Sequence, residues 1–152
     1  MYDLAPVLTA AEKRLDLINQ LEQETNDLLL APIERLAECL ESRQVTLESF
    51  IEADKHLRAL CSSGDLEAII DFTCDLSDLT PELVPLFELS LSVRAGMNRI
   101  LNTEPSISAR FELERASILN KIEDLNAGAT AAANKYYRAF NAEARQDTVK
   151  TI

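Results

Sequence analysis

Apolar residues recur every three or four positions along almost the whole chain, without the strict alternation that is typical of a β-strand. In an α-helix this spacing places the apolar side chains on one face, and that face must be buried against another helix. Only three glycines interrupt the pattern in 152 residues. The pattern therefore predicts an all-α fold, an antiparallel up-and-down bundle of about four long helices.

The first helix boundary is marked by a capping box and a proline. Thr9 and Glu12 have the spacing at which two side chains cap a helix N-terminus, so we expect helix 1 to run from about residue 6 to about residue 30. Pro32 either kinks one long helix or starts a new one, because a proline cannot donate a backbone hydrogen bond. We favour a break near Ala31, with a second helix after it.

Later boundaries follow from one glycine and two prolines. The second helix should end at Gly64, which suits a left-handed cap, and a shorter third helix follows. A fourth helix should begin near Pro81, since proline is favoured in a first turn. Residues 102–106 then indicate a stop before a last helix over about residues 106–143, although Pro105 is also compatible with a kink in one long helix.

Length and composition predict one soluble domain, residues 1–152. A content of 47% hydrophobic and 27% charged residues is the balance of a folded protein with a single core. No run approaches the roughly 18 apolar residues that a membrane helix needs, and the first residues lack the basic region of a signal peptide. We therefore expect a cytoplasmic protein with no membrane insertion.

Charge is unevenly distributed along the chain. Residues 1–88 carry 19 acidic and 6 basic side chains, net −13, and residues 89–152 carry 7 and 9, net +2, which together give the total of −11. Nucleic acid is not an expected partner, because phosphate binding needs a basic surface. The acidic part is either a solvated face that aids solubility or a surface that attracts a basic partner.

The sequence contains no recognisable catalytic or metal-binding motif. His56 is the one histidine and Ala53 stands three residues before it, which excludes the Glu-x-x-His pairs of di-iron bundles. The residues after His56 also differ from the leucine, lysine and glycine usual in histidine phosphotransfer domains. No phosphate-binding glycine loop or nucleophile elbow occurs. Cys39, Cys61 and Cys74 are odd in number and widely spaced, so we expect reduced thiols, no metal, no cofactor and no enzymatic activity.

The segment 126–152 is expected to be the most loosely held part of the domain. Gly128 is followed by a run of small residues, mainly alanine, which bury little apolar area. The aromatic residues Tyr136 and Phe140 come next. Two interpretations stay open for them: they pack at the end of the bundle, or they are available to a partner.

Two stretches resemble flagellar export chaperones of the FlgN/FliT type. The first covers residues 41–48, 53–60 and 63–69 and is similar to the first helical hairpin of that family. The second covers residues 115–128, with Ala132 and Tyr136, and is similar to its closing pattern of a long helix, a Leu-Asn-x-Gly step, small residues and a tyrosine. The chain departs from that family in one respect: the prolines at 81, 85 and 105 mark more helix breaks than the family's pattern contains.

The resemblance implies a cytosolic chaperone of type III flagellar export. Its partner would be an amphipathic C-terminal helix of a hook-filament junction subunit, kept soluble and unassembled by packing in an apolar groove. Carried over by position, the partner-binding residues would be Leu125, Ala129, Ala132, Tyr136, Tyr137, Arg138 and Phe140. The alternative is a non-enzymatic structural helical bundle that acts as a homodimer or an adaptor.

Overall fold

The computed structural model describes the backbone of residues 3–62 and 64–150, and the side chains of residues 3–62 and 64–142. Four α-helices occur in these residues, and no β-strand is found among them. They are α1 (Ala5–Leu30), α2 (Leu36–Leu60), α3 (Gly64–Ile70) and α4 (Val84–Lys150), with short 3-10 helices at Ile33–Arg35 and Leu76–Asp78. The all-α prediction is confirmed.

The first helix has the predicted bounds and the predicted buried face. Ile18, Leu21, Thr25 and Leu28 of α1 are all buried. The break near Ala31 is also confirmed, because α1 ends at Leu30 and Ala31 is extended, with φ −64° and ψ 143°. The ring of Pro32 disfavours helical backbone in the residue before it, which explains why the chain leaves the helix there.

Two predicted boundaries are wrong. Gly64 is the first residue of α3 and not a left-handed cap, since no described glycine has a positive φ. Ser63 lies outside the described residues. The predicted stop at residues 102–106 is absent, because α4 continues through Pro105. Ile100 and Ile107 are buried on either side of this exposed proline, and their packing favours one continuous helix over a break.

Contacts within the chain divide it into two compact units, residues 1–108 and residues 109–152. In the first unit, α1 and α2 are antiparallel, since Val7 near the start of α1 shares a cluster with Leu57 near the end of α2. Leu86 of α4 joins the same cluster, so the first part of α4 runs parallel to α1. These three helices and α3 form an up-and-down core.

Two apolar clusters stabilise the first unit. One joins the start of α1, the end of α2, α3 and Leu86, and the other joins Ile18, Phe50, Val93 and Ile100. Gly96 allows α4 to lie close to α1 at the second cluster, because a Cβ atom there would collide with the Ile18 Cγ2 atom. Any larger residue at position 96 requires the Ile18 side chain or the helices to shift.

The second unit is the rest of α4, residues 109–150 of the described backbone. Its described side chains are exposed, apart from Arg110, Phe111 and Glu114, which are half-buried. The spacing from Phe111 onward predicted an apolar face that packs against another helix, and in the chain alone the described side chains from Arg115 onward are exposed. The spacing of apolar residues shows which side of a helix is apolar, but it does not show which element, if any, covers that side.

Candidate protein-interaction surface

An uncovered apolar stripe runs along the second unit. We call it the α4 stripe. Successive members are three or four residues apart, so an α-helix of 3.6 residues per turn places them within an arc of about 100°. All members are apolar except the cationic Arg115. The members of the stripe are Phe111, Arg115, Ile118, Ile122, Leu125, Ala129, Ala132, Tyr136 and Phe140.

Large apolar side chains of this stripe are open to solvent. Leu125 is 74% exposed, Tyr136 is 71% exposed and Phe140 is 59% exposed. Ile118 and Ile122 are about half as accessible as free side chains, at 44% and 46%. Contiguous exposed apolar surface of this kind marks a contact site on a protein, whereas scattered single exposed residues do not.

The predicted binding residues do not all lie on one face. Leu125, Ala129, Ala132, Tyr136 and Phe140 share the α4 stripe. The two other predicted residues fall elsewhere, because each residue advances about 100° around a helix. Tyr137 lies at the flank, where its ring meets that of Tyr136 edge to face with 6.4 Å between centroids, and Arg138 lies on the far side.

The structure extends the surface towards the N-terminal side of the predicted residues. Phe111, Ile118 and Ile122 continue the apolar spacing of the last helix but were not among the predicted binding residues, and they belong to the exposed or half-buried stripe. The spacing that would have identified them is the same one that identified Leu125 and Tyr136. Nothing in the sequence indicated that these positions are exposed in the described chain.

Charge along the second unit differs between its two halves. Residues 109–124 contain Arg110, Arg115 and Lys121 against four acidic side chains, a net charge of −1. Residues 125–142 contain Lys135 and Arg138 and no acidic side chain, a net charge of +2. Glu114 lies 4.0 Å from Arg110 within the helix, and that spacing makes a weak surface pair.

A second concentration of polar side chains lies within the first unit. The Arg14 side chain is 5% exposed, and its Nη1 donates to Asp54 Oδ1 at 2.8 Å. Arg58 donates to the other oxygen of Asp54 at 3.0 Å and to Asp71 at 3.0 Å. These bonds join α1, α2 and the residue after α3. Hydrogen bonding to Asp71, with a smaller contribution from Asp54, raises the pKa of Arg58.

The same region contains a strained backbone position. Phe72 follows α3 with φ 60°, a left-handed conformation that is unusual for a bulky residue. Its neighbours close a Schellman motif, in which the Thr73 N–H donates to Ala68 O at 2.9 Å. The Phe72 ring packs edge to face on Phe87 at 5.6 Å and lies under the Arg94 guanidinium at 5.0 Å.

This polar cluster is best explained as a structural crosslink. Arg14 and Arg58 pair with the carboxylates of Asp54 and Asp71, and these four side chains line a cavity of about 300 Å³ that also borders Phe50 and Val93 of the core. Sequence reasoning missed Arg14. Its position was detectable, because residue 14 precedes Ile18, Leu21 and Thr25 at helical spacing on the buried side of α1.

The remaining candidate groups show no arrangement for chemistry. His56 is exposed beside a shallow cleft between α1 and α2. The three cysteines are free, and burial raises the pKa of the Cys61 thiol. Within residues whose side chains are described, no group of three or more His, Cys, Asp or Glu is placed to hold a metal ion. No helix in the described part of the chain is long and apolar enough to cross a membrane.

Comparison with known proteins identifies one curated relative at low identity. The chain is 29% identical over 150 residues to COP9 signalosome complex subunit 4 of Schizosaccharomyces pombe. The match covers 92% of this chain but 38% of the relative, so the chain spans well under half of that protein's length. No protein-family model matches the chain. No solved structure matches it either.

These comparisons overturn the resemblance to flagellar export chaperones. The curated relative is a signalosome subunit, and a chain of the FlgN/FliT type would be expected to match a family model. The motifs that suggested the resemblance were short segments of amphipathic helix around a Leu-Asn-x-Gly step. Any long helix with that spacing shares most of their positions, which is why the interpretation was wrong.

Proposed function

We propose that this chain is a non-enzymatic helical subunit or adaptor that binds another protein chain along the α4 stripe. The observation that carries the proposal is the exposure of the stripe, up to 74% at Leu125, in a helix whose apolar spacing is otherwise that of a buried element. A helix gains most of its stability in a protein from packing of its apolar face. A second chain laid along the stripe supplies that packing.

The energetics of the stripe are adequate for association. Full burial of one large apolar side chain contributes about 1.5 to 3 kcal/mol. Five of the stripe residues are 44% to 74% exposed, so burying them contributes roughly 4 to 9 kcal/mol, and a partner helix contributes a comparable amount. That total exceeds the lower estimates of about 4 kcal/mol for the lost freedom of two associating molecules.

The relative supports the class of function and not its details. By its name, COP9 signalosome complex subunit 4 is one subunit of a complex. This chain matches 38% of that protein, so we propose only that it, too, is built into an assembly with another protein chain. The acidic first part of the chain, net −13 over residues 1–88, would increase the rate of encounter with a basic partner more than the affinity.

Site-specific photo-crosslinking tests this proposal. A benzophenone amino acid is placed at Leu125 or Tyr136 of the stripe, and the full chain is expressed in the cell that encodes it. Asn120 and Asn134 are the matched controls, because they lie on the opposite side of the same helix and are also exposed. We expect discrete adducts with a protein chain from the two stripe positions and none from the controls. Equal adducts from both faces, or none from either, would contradict the proposal.

A further inference from the structure

We infer that the partner of the α4 stripe is a second copy of this chain, paired antiparallel through the second unit. The inference rests on the proposed function and specifies which chain packs against the α4 stripe. The stripe from Phe111 to Tyr136 advances by alternating steps of four and three residues, the repeat of a two-stranded coiled coil. It spans 25 residue steps, about 38 Å of helix.

The sizes of the stripe residues favour the antiparallel arrangement. One antiparallel register places Phe111 opposite Tyr136, Ile118 opposite Ala129, and Ile122 opposite Leu125. Arg115 then lies opposite Ala132, where a small residue leaves room for its aliphatic part while its charge remains in water. The two-fold axis of the dimer repeats these four residue pairs, so the interface contains each of the four layers twice.

Matched layers keep the two helices at a steady separation. The distance between packed helix axes depends on the side chains at the contact. In a parallel pair, like residues would face each other, so Ile122 would meet Ile122 and Ala129 would meet Ala129. Such a pair has two thin alanine layers, at 129 and 132, between the thick layers of Leu125 and Tyr136. The antiparallel register combines large with small in the Ile118 and Ala129 layer and pairs two aromatic rings at each end, a favourable contact.

Charge complementarity points to the same arrangement. The antiparallel pair sets residues 109–124, net −1, against residues 125–142, net +2, whereas a parallel pair sets each half against its own sign. At the edge of the interface, this register places Glu114 near Lys135 of the other copy, and the two-fold axis repeats the pair. Glu114 and Lys135 each stand one residue before a stripe member, Arg115 and Tyr136, and this position in the helix places them at the edge of the stripe.

Disulfide trapping tests the register in the full-length chain. The background replaces the three cysteines by Cys39→Ser, Cys61→Ala and Cys74→Ser, with circular dichroism confirming that the helical signal is retained. One preparation then carries Ile118→Cys and the other carries Ala129→Cys. Antiparallel pairing brings position 118 beside position 129, while like positions stand about 16 Å apart, too far for a disulfide, which needs Cα atoms within about 7 Å.

We expect a crosslinked dimer when the two preparations are mixed and oxidised, and little when either is oxidised alone. A dimer from Ile118→Cys alone would show parallel pairing and overturn the inference. A full-length chain that sediments as a monomer at 100 μM, a concentration set at roughly a hundred times a micromolar Kd, would overturn it also. Neither result contradicts the proposed function, because photo-crosslinking would still report a different protein on the stripe.

Charge exchange supplies an independent test that does not depend on cysteine. Lys135→Glu places like charges at both edges of the antiparallel interface, and we expect the dimer Kd to rise about tenfold at low salt. The double variant Glu114→Lys with Lys135→Glu restores opposite charges across the interface, so its Kd should return close to that of the original chain. Failure of the second change to restore association would contradict this register.

Discussion

The buried ion pair of Arg14 and Asp54 gives the sharpest stability prediction for the first unit. The change is Asp54→Asn, which keeps the shape of the side chain and removes its charge. The Arg14 side chain is 5% exposed, and its Nε has no hydrogen-bond partner among the described residues. Neutralisation of this guanidinium therefore rests on Asp54, whose carboxylate lies 2.8 Å from Nη1.

Loss of one partner from a buried pair typically costs about 3 to 5 kcal/mol, because the other charge remains buried. Asp54 is 28% exposed and asparagine can still accept one hydrogen bond, so we expect the lower end, about 3 kcal/mol. With a urea dependence of about 1 to 3 kcal/mol per molar, this loss lowers the unfolding midpoint by about 1 to 3 M. Circular dichroism at a fixed protein concentration measures it.

Asp71→Asn is the matched control. Asp71 also pairs with an arginine at 3.0 Å, but that carboxylate is 41% exposed and its partner Arg58 is 38% exposed. An exposed pair contributes at most about 1 kcal/mol, so the control should lose far less stability. Equal, small losses in the two variants would refute the reasoning that burial of Arg14 decides the cost. Replacing both members together, by Arg14→Met with Asp54→Leu, should restore most of the stability.

Three further predictions concern other parts of the chain. Phe72→Gly should be more stable to urea than Phe72→Ala by about 1 kcal/mol, because glycine adopts φ 60° without strain while both variants lose the ring. Asp75 accepts a hydrogen bond from the Ser77 N–H, which lowers the pKa of its carboxyl in the folded chain. This bond therefore stabilises the fold above the ordinary pKa of 3.8, and the stabilisation is lost as pH falls through the lower folded pKa. The stabilities of Asp75→Ala and the original chain, measured across an acid series, should converge below that range. Tyr136→Ala with Phe140→Ala should weaken partner binding at least tenfold and leave the monomer's unfolding midpoint nearly unchanged, since both rings are exposed.

The helices were predictable wherever one face of the sequence pattern is both apolar and covered. The bounds of α1 follow from Ile18, Leu21, Thr25 and Leu28, which are all buried as their spacing predicts. The break at Pro32 follows from proline geometry alone. In α2 the spacing was less informative, because Leu40 and Ile51 are exposed while Thr46, a polar residue, is buried.

The continuous course of α4 could not be derived from local signals. Pro105 is a strong helix breaker in isolation, and here it is overridden by the burial of Ile100 and Ile107 and by the ion pair between Glu104 and Arg43. These contacts join residues far apart in the chain. A pattern read within a short window contains no information about them.

The candidate surface was only partly predictable for the same reason. Leu125, Tyr136 and Phe140 were identified as partner-binding residues, and the structure places them on one exposed face. Ile118 and Ile122 were not, because helical spacing is identical for a face that meets another helix of the chain and for a face that meets a second chain. Only the tertiary structure distinguishes the two cases.

The accessibility of position 125 in the assembled protein tests most directly whether a protein chain covers the α4 stripe. Leu125→Cys and the matched control Asn120→Cys, on opposite faces of α4, are introduced into the cysteine-free background and expressed at native level. Each is labelled with a maleimide in fresh cell extract and again after denaturation. We expect position 125 to be labelled at least tenfold more slowly than position 120 in native extract, and equally fast after denaturation. Equal rates in native extract would contradict the claim that a protein chain covers the α4 stripe.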